Sequence, residues 1–160
     1  MGPISRDELN SNSEAGTREL GRVLATALAP GDIISLTGDL GAGKTRFVQG
    51  VATGLGIDEP VTSPTFTIMR IYEGRLPLYH FDAYRLQKIA ELEAIGYEEY
   101  FFGDGATIIE WGDKIHEALP ADHLRLEIHR DIDDVERRLF IVEAFGERSR
   151  ELAKVLAGAA

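Results

Sequence analysis

Eight consecutive residues, 38–45, read Gly-Asp-Leu-Gly-Ala-Gly-Lys-Thr and match the phosphate-binding loop pattern G-x-x-x-x-G-K-[ST]. Gly38, Gly41 and Gly43 let the backbone turn tightly and approach an anion without a Cβ in the way. The N–H groups of such a loop point at phosphate oxygens, next to a helix N-terminus that favours negative charge. Lys44 can reach the β- and γ-phosphates, and the Thr45 hydroxyl can bind Mg²⁺. The spacing therefore predicts a site for nucleotide phosphates.

The residues on either side of this octet have the pattern that a phosphate-binding loop requires. Residues 32–37, Asp-Ile-Ile-Ser-Leu-Thr, form a short apolar, β-branched run typical of a buried strand. After the loop, apolar residues recur at helical spacing until Gly56, where a helix is expected to end. The sequence therefore predicts strand, glycine-rich loop and helix in succession, rather than an ordinary glycine turn.

Two acidic residues each follow an apolar run that is typical of a strand. Asp82 comes after Leu-Tyr-His-Phe at 78–81, and Glu110 comes after Ile108 and Ile109. An acid at the C-terminal end of a strand beside the loop can hold Mg²⁺ or polarise an attacking water. Each acid could instead cap its strand at the solvent boundary. Because a bound Mg²⁺ must be neutralised, at least one of them is expected to act at the site.

Other polar and aromatic residues near these positions are weaker candidates. Ser63 and Thr65 flank the φ-locked Pro64 and could form a segment that responds to the γ-phosphate, although an ordinary turn is the commoner explanation. Tyr84 and Arg85 could reach a phosphate or a partner, or Arg85 could form a surface salt bridge. These residues add to the site only if the loop and the two acids form it.

Tryptophan and histidine occur at positions that also need an interpretation. Trp111, the only tryptophan, follows a strand-ending acid and is expected either in the core or at the ligand-binding edge of the sheet. The four histidines, at positions 80, 116, 123 and 129, do not have the spacing of a metal site. His116, His123 and His129 are interpreted as structural or surface residues.

Composition limits the class of protein. The 160 residues suggest a single domain, 1–160, large enough for a substantial core. The absence of cysteine excludes disulfides and thiol nucleophiles and fits a reducing cytoplasm. The first residues lack the pattern of a signal peptide, so none is expected, and the sequence contains no apolar run of membrane-spanning length. The net charge of −10 repels phosphodiester backbones, so any RNA is expected to be held by a partner, unless the acidity only aids solubility.

Periodicity along the rest of the chain predicts alternating helices and strands. A first helix is expected to begin at a Ser11–Glu14 capping box and to end at Pro30. Extended runs at 67–72 and 76–81 form a predicted hairpin. Further strands are expected at 106–109, 124–128 and 138–145, short helices at 88–95 and 114–119, and a C-terminal tail or frayed helix at about 147–160. The pattern indicates an α/β sheet with antiparallel strands toward the C-terminal part.

Four motifs follow one another in a recognisable order and spacing. They are the octet at 38–45, Ser-Pro-Thr-Phe-Thr at 63–67, His-Phe-Asp-Ala-Tyr-Arg at 80–85 and Glu-Trp at 110–111. Together they resemble the TsaE family, the bacterial tRNA threonylcarbamoyladenosine biosynthesis ATPases. The resemblance covers roughly residues 13–145, and Phe66, where tyrosine is common, is its one noted departure. It implies a P-loop NTPase-type mixed sheet flanked by helices.

The resemblance also implies an activity and partners. Members of the family are small Mg²⁺-dependent ATPases that support the threonylcarbamoyl modification of the adenosine next to the anticodon, in tRNAs reading codons that begin with A. They do not transfer the group themselves. They bind a heterodimer of a catalytic subunit and its paralogue, which ATP hydrolysis resets between turnovers. The cofactors implied are ATP and Mg²⁺, and tRNA is met only through the partner subunits.

Site residues are implied by matching the motifs position by position. The phosphates would contact Leu40, Gly41, Ala42, Gly43, Lys44 and Thr45. Thr45, Glu110 and Asp82 would hold Mg²⁺, and Glu110 would also position the attacking water. Ser63 and Thr65 would form a nucleotide-responsive switch, while Glu14, with Thr17, would lie near the adenine or ribose. The division of roles between Asp82 and Glu110 stays open.

Three other functions share the loop. A small-molecule kinase of the adenylate-kinase type would need an arginine-rich lid, and no such segment is found in the sequence. A regulatory GTPase is disfavoured because no Asn-Lys-x-Asp or Asp-x-x-Gly motif occurs. A module that binds nucleotide without hydrolysing it is the non-enzymatic alternative, in which the two acids would be bystanders.

Overall fold

The computed structural model describes residues 2–39, 41–62, 68–84 and 86–159. The strands are β1 Ser5–Ser11, β2 Ile33–Gly38, β3 Met69–Tyr72, β4 Leu78–Asp82, β5 Ala106–Glu110, β6 Leu124–Arg130 and β7 Arg138–Ala144. The α-helices are α1 Glu14–Ala25, α2 Lys44–Gly54, α3 Ile89–Ala94, α4 Tyr97–Phe101 and α5 Glu147–Ala159, and Gly112–Ala118 forms a 3₁₀ helix. None of the helices in these ranges is both long and apolar enough to cross a membrane.

The described strands form one seven-stranded sheet in the order β1-β7-β6-β2-β5-β4-β3. The four central strands, β6, β2, β5 and β4, run parallel to one another. The pairs β1–β7, β6–β7 and β3–β4 are antiparallel. The predicted α/β mixed sheet is therefore confirmed, as are the hairpin and the antiparallel pairing toward the C-terminal part.

Helices cover both faces of the sheet because its central strands are apolar on both sides. Ile34 and Ile108 face one core, which includes the buried residues of α1, α2 and α5. Their neighbours Ile33 and Ile109 face a second core with Leu92 of α3, Phe101 of α4 and Ile115 of the 3₁₀ helix, because successive residues of a strand point to opposite faces. A sheet buried on both faces leaves the ends of its strands as the place for a ligand site.

The N-terminal segment differs from the sequence prediction. Ser11 does not cap the first helix, because it ends strand β1, and the cap is Ser13, whose hydroxyl accepts a hydrogen bond from the Gly16 N–H at 3.0 Å. Strand β1 was not predicted, since it is an edge strand in which only Leu9 and Ser11 are buried. A strand with so few buried apolar side chains leaves almost no alternation to detect.

The C-terminal helix packs more firmly than the predicted tail or frayed helix. Leu152, Ala153 and Leu156 of α5 are buried, and burial of each leucine stabilises the fold by about 1.5–3 kcal/mol. Arg148 makes two hydrogen bonds, of 2.9 and 2.8 Å, to the carboxylate of the buried Asp32. These contacts tie the end of the chain to the start of β2.

His123 gives the fold an expected pH dependence. The buried imidazole stacks on Phe145 with ring centroids 4.4 Å apart, and burial lowers the pKa of His123. Because this pKa is lower in the folded than in the unfolded chain, stability should be complete above about pH 6.5 and should decrease as the pH falls below it. We expect Tm to fall less between about pH 7.5 and 5.5 in His123→Phe than in the wild type. Parallel Tm curves for the two proteins would contradict this assignment.

Candidate nucleotide-binding site

The C-terminal ends of three central parallel strands bring the predicted chemistry together. Gly38 ends β2, Asp82 ends β4 and Glu110 ends β5. The parallel register of β4 and β5 places Asp82 directly beside Glu110, while Glu110 lies beside Leu36 of β2. Parallel strands end at the same edge of a sheet, so positions that are far apart in sequence become neighbours next to the loop.

The glycine-rich loop has the backbone geometry that its sequence predicts. Gly38 has φ +136°, and a Cβ there would lie 2.4 Å from the carbonyl oxygen of Ile128, so a side chain is excluded. Gly43 has φ +108° and precedes the first residue of α2, Lys44. The predicted succession of strand, loop and helix is confirmed. Leu40 lies outside the described residues, so its predicted phosphate contact stays a prediction.

The Lys44 ammonium group lies within the loop. Its Nζ donates hydrogen bonds to the carbonyl oxygens of Gly38 at 2.7 Å and Asp39 at 2.9 Å, and it lies 4.1 Å from the centroid of the Trp111 ring. Burial lowers the pKa of Lys44, and the nearby carboxylates of Glu110, Asp39, Asp82 and Asp113 oppose that effect. Neutral carbonyl oxygens are weaker acceptors than phosphate oxygens, so the Lys44 ammonium group can readily exchange these hydrogen bonds for bonds to a charged phosphate.

The loop and the two acids surround a cavity of about 450 Å³. Its lining combines cationic, acidic and aromatic side chains: Glu14, Thr17, Gly41, Gly43, Lys44, Thr45, Arg46, Asp82, Tyr84, Glu110, Trp111, Glu136 and Arg138. This volume falls in the range of small-molecule sites. Most of the predicted site residues therefore share one cavity, although they come from helices α1 and α2, the loop and strands β4 and β5.

Glu110 is buried and bound to a residue that the sequence reasoning did not assign to the site. Its Oε2 lies 2.6 Å from Nε2 of His80, which is fully buried on the neighbouring strand. His80 stands two positions before Asp82, and residues two apart in a strand share a face. This two-residue spacing was the signal in the sequence that could have linked His80 to the site. That its partner is Glu110 depends on the pairing of β4 with β5.

Asp82 is more accessible than Glu110. One of its carboxylate oxygens, Oδ1, accepts a hydrogen bond of 2.9 Å from the Tyr84 N–H, which shapes the turn that follows β4. The Tyr84 ring packs against Trp111 with centroids 5.0 Å apart. Asp82 is thus positioned at the wall of the cavity by the local turn, whereas Glu110 is positioned by a neighbouring strand.

Trp111 lies in the site rather than in the core alone. It has φ +63°, a left-handed conformation that is costly for a residue with a large side chain. Its N–H donates a 2.7 Å hydrogen bond to Leu36 of β2, which fixes this turn directly after Glu110. The strained turn places the indole ring between the Lys44 ammonium group and the Tyr84 ring.

Arg138 lines the cavity and is another residue that the sequence reasoning missed. From the first position of β7, its Nε donates a 2.8 Å hydrogen bond to the carbonyl oxygen of Ala42 in the loop. Ala42 itself is buried and contributes this backbone contact rather than a cavity-lining side chain. Nothing in the local sequence connects an arginine at 138 with a loop at 38–45, so only the fold reveals the contact.

The first helix contributes Glu14 and Thr17 to the lining of the cavity. Glu14 forms an ion pair with Arg46 at 3.5 Å, which connects the starts of α1 and α2, and another with Arg18 of its own helix at 3.9 Å. Thr17 is buried and shares a 2.6 Å hydrogen bond with Ser11. Contact of Glu14 or Thr17 with adenine or ribose stays a prediction. Ser63 and Thr65, like Phe66 and Arg85, lie outside the described residues, so the predicted switch segment also stays a prediction.

The donor set suits Mg²⁺ when a nucleotide supplies the rest of its coordination. Mg²⁺ is usually held by one or two carboxylates together with substrate phosphates and waters, not by a cage made wholly of protein. Thr45, Asp82 and Glu110 offer one hydroxyl and two carboxylates on a single cavity. Within the described ranges, no three histidine, aspartate or glutamate side chains are clustered closely enough to hold a metal by themselves.

Comparison with known proteins agrees with the motifs. The family model described as "Threonylcarbamoyl adenosine biosynthesis protein TsaE" matches residues 11–139. The tRNA threonylcarbamoyladenosine biosynthesis protein TsaE of Bacillus subtilis is 45% identical over 88% of this chain and 87% of its own length. The protein of the same name from Streptomyces coelicolor is 43% identical over 82% of this chain and 92% of its own.

A solved structure supports the same relationship. The crystal structure of Bacillus subtilis YdiB superposes with a TM-score of 0.82 at 37% identity, covering 96% of this chain and 95% of that chain. The sheet, the phosphate-binding loop and the acids at the ends of β4 and β5 thus occur in a chain that matches these relatives over most of its length. The chain belongs to the TsaE family, whose members take part in the biosynthesis of threonylcarbamoyladenosine in tRNA.

Proposed function

We propose that this protein is a Mg²⁺-dependent ATPase required for the threonylcarbamoyl modification of the adenosine next to the anticodon, in tRNAs reading codons that begin with A. It would bind and reset the catalytic heterodimer rather than transfer the group itself. The observation that carries the proposal is the convergence of Lys44, Asp82 and Glu110 on one cavity beside the glycine-rich loop. A loop that only held phosphate would not need two adjacent carboxylates facing it.

Each group has a separate task in this proposal. The loop N–H groups and Lys44 hold the β- and γ-phosphates and stabilise the charge that develops on them. Thr45, Asp82 and Glu110 would hold Mg²⁺, which when bound would neutralise charge on the phosphate oxygens. Glu110 orients the attacking water toward the γ-phosphorus, and its burial keeps bulk water from competing for the carboxylate. The indole ring of Trp111 and the phenol ring of Tyr84 line one side of the cavity.

The surface charge supports a role that reaches tRNA through partner subunits. With a net charge of −10, the chain lacks the basic footprint from which protein–RNA affinity is built. A catalytic subunit and its paralogue would hold the tRNA, and this protein would bind to them. Weak hydrolysis by the isolated chain is expected, because a site completed by a partner avoids futile ATP consumption, as when activating proteins complete a GTPase site.

Steady-state ATP hydrolysis with Mg²⁺ tests the proposed function directly. The rate is measured for the chain alone and then with the purified heterodimer of catalytic subunit and paralogue. We expect a low rate alone and at least about a tenfold stimulation by the heterodimer, since completing a nucleotide site in trans is worth up to several orders of magnitude. The Lys44→Ala variant with the heterodimer controls for contaminating ATPases.

Failure of this experiment would point to one of two other functions. Rapid hydrolysis by the lone chain would contradict the partner dependence. ATP consumption that occurs only when a small-molecule acceptor is added, with a phosphorylated product, would indicate a kinase. Nucleotide binding without hydrolysis under any of these conditions would indicate a binding module.

A further inference from the structure

The buried pair of His80 and Glu110 carries an inference that rests on the proposed ATPase. The imidazole is fully buried, and only 3% of Glu110 is exposed, although the carboxylate lines the cavity. Their Nε2–Oε2 distance of 2.6 Å is that of a strong hydrogen bond to a charged acceptor. His80 itself is not among the residues that line the cavity, so it can act on a ligand only through Glu110.

A histidine at position 80 would destabilise the fold if its role were purely structural. Its Nδ1 is buried and has no hydrogen-bond partner among the described protein atoms. A buried polar atom without a partner costs about 1–3 kcal/mol, which a phenylalanine or leucine at the same position would avoid. Since the ring packs beside the Tyr72 ring, with centroids 6.5 Å apart, an apolar side chain would fit the surroundings. The benefit that offsets this cost is the hydrogen bond to Glu110.

The geometry points to His80 as the positioning residue of Glu110. A glutamate side chain has three rotatable bonds, and ordering it at the moment of reaction would cost free energy. The hydrogen bond from Nε2 fixes Oε2 in advance, which leaves Oε1 as the oxygen that serves the cavity. The Oδ1 of Asp82 is held by the local turn after β4, through the Tyr84 N–H. His80 therefore acts on the site through the Glu110 carboxylate.

Two substitutions separate the hydrogen bond from the space that the ring fills. His80→Phe keeps an aromatic ring and removes the donor, while His80→Gln places an amide N–H where Nε2 was. Loss of a residue that orients a metal-site or catalytic carboxylate typically costs 10–100-fold, so we expect kcat of the partner-stimulated ATPase to fall by about that factor in His80→Phe. His80→Gln should recover a substantial part of the rate. Tm of each variant reports whether the fold is intact.

Calorimetric titration with ADP gives a readout that does not depend on hydrolysis. Without Mg²⁺, His80→Phe should bind ADP as the wild type does, because the loop and Lys44 are unchanged. The gain in ADP affinity that Mg²⁺ confers on the wild type should be about tenfold smaller in His80→Phe. A merely structural defect would instead weaken ADP binding in the absence of Mg²⁺ and lower Tm.

A double-mutant comparison tests whether His80 acts through Glu110. If it does, adding His80→Phe to Glu110→Gln should slow the reaction no further. An additional tenfold loss in the double variant, or wild-type kcat and wild-type Mg²⁺ dependence in His80→Phe, would overturn the inference. A wild type that gains ADP affinity from Mg²⁺ without hydrolysing ATP would refute the ATPase, and the ADP titrations would still decide the role of His80. A wild type with neither property would refute both.

Discussion

Lys44→Ala is expected to abolish productive ATP binding and therefore all hydrolysis, with or without partner subunits. The side chain is buried in the loop, and its Nζ already occupies the position from which a P-loop lysine reaches the β- and γ-phosphates. Truncating one partner of a buried, hydrogen-bonded charge pair costs about 2–5 kcal/mol, which corresponds to roughly 30- to 5,000-fold in Kd. The loss should appear in ADP titrations as well as in ATPase rates.

Lys114→Ala is the matched control for this prediction. It removes the same charge from a lysine that lies beside the cavity residue Tyr84 but is itself exposed and does not line the cavity. Similar losses of nucleotide binding in both variants would show that the overall electrostatic potential of the site, and not the contact of Lys44 with the phosphates, was responsible. Undiminished hydrolysis by Lys44→Ala, with an unchanged Tm, would contradict the assignment of the loop as the catalytic nucleotide site.

Elements with strong periodicity were predictable from the sequence, and weakly patterned ones were not. β2 and the helix after the loop have apolar residues at clear spacing and were predicted with bounds close to Ile33–Gly38 and Lys44–Gly54. Helix α4, Tyr97–Phe101, is too short to show a helical period and was missed. Strand β1 was missed because most of its residues face solvent at the edge of the sheet.

The same distinction applies to the site. Asp82 and Glu110 were identified as candidates because each ends an apolar strand, a position that can be read along the chain. His80 and Arg138 could not be assigned in that way, since their contacts with Glu110 and Ala42 cross between strands or span 96 residues. Contacts of this kind depend on register and strand order, which a single sequence specifies only through the completed fold.

The strand order also explains why the two acids should differ in function. β5 lies between β2 and β4, and both reach the level of Glu110, which is buried. On the other side of β4, strand β3 begins at Met69 opposite Phe81, so it stops one position short of Asp82, which is only partly buried. Enclosure favours a carboxylate that orients a single water, because few alternative positions are open to it. Greater exposure suits a carboxylate that meets a hydrated Mg²⁺.

Glu110→Gln is therefore expected to lower the single-turnover rate of ATP hydrolysis by about 10²–10⁴-fold, the range for loss of a general base or water-orienting group. ATP should still bind, because the loop and Lys44 are intact. Asp82→Asn should instead raise the Mg²⁺ concentration needed for half-maximal rate, and its rate should recover in part at high Mg²⁺. Single-turnover hydrolysis at several Mg²⁺ concentrations distinguishes the two variants.

Glu143→Gln serves as the control for removing a buried carboxylate. Glu143 is also largely buried in the sheet but is paired with Arg125 away from the cavity, so its loss should change Tm and leave the single-turnover rate unaltered. If Glu110→Gln matched the wild type while both hydrolysed ATP, Glu110 would not be the water-orienting group, and Asp82 would take that role. Equal, near-zero rates in the wild type and both acid variants would mean that the loop binds nucleotide without hydrolysing it. The contrast between Glu110 and Glu143 thus separates a carboxylate that acts on the nucleotide from one that only supports the sheet.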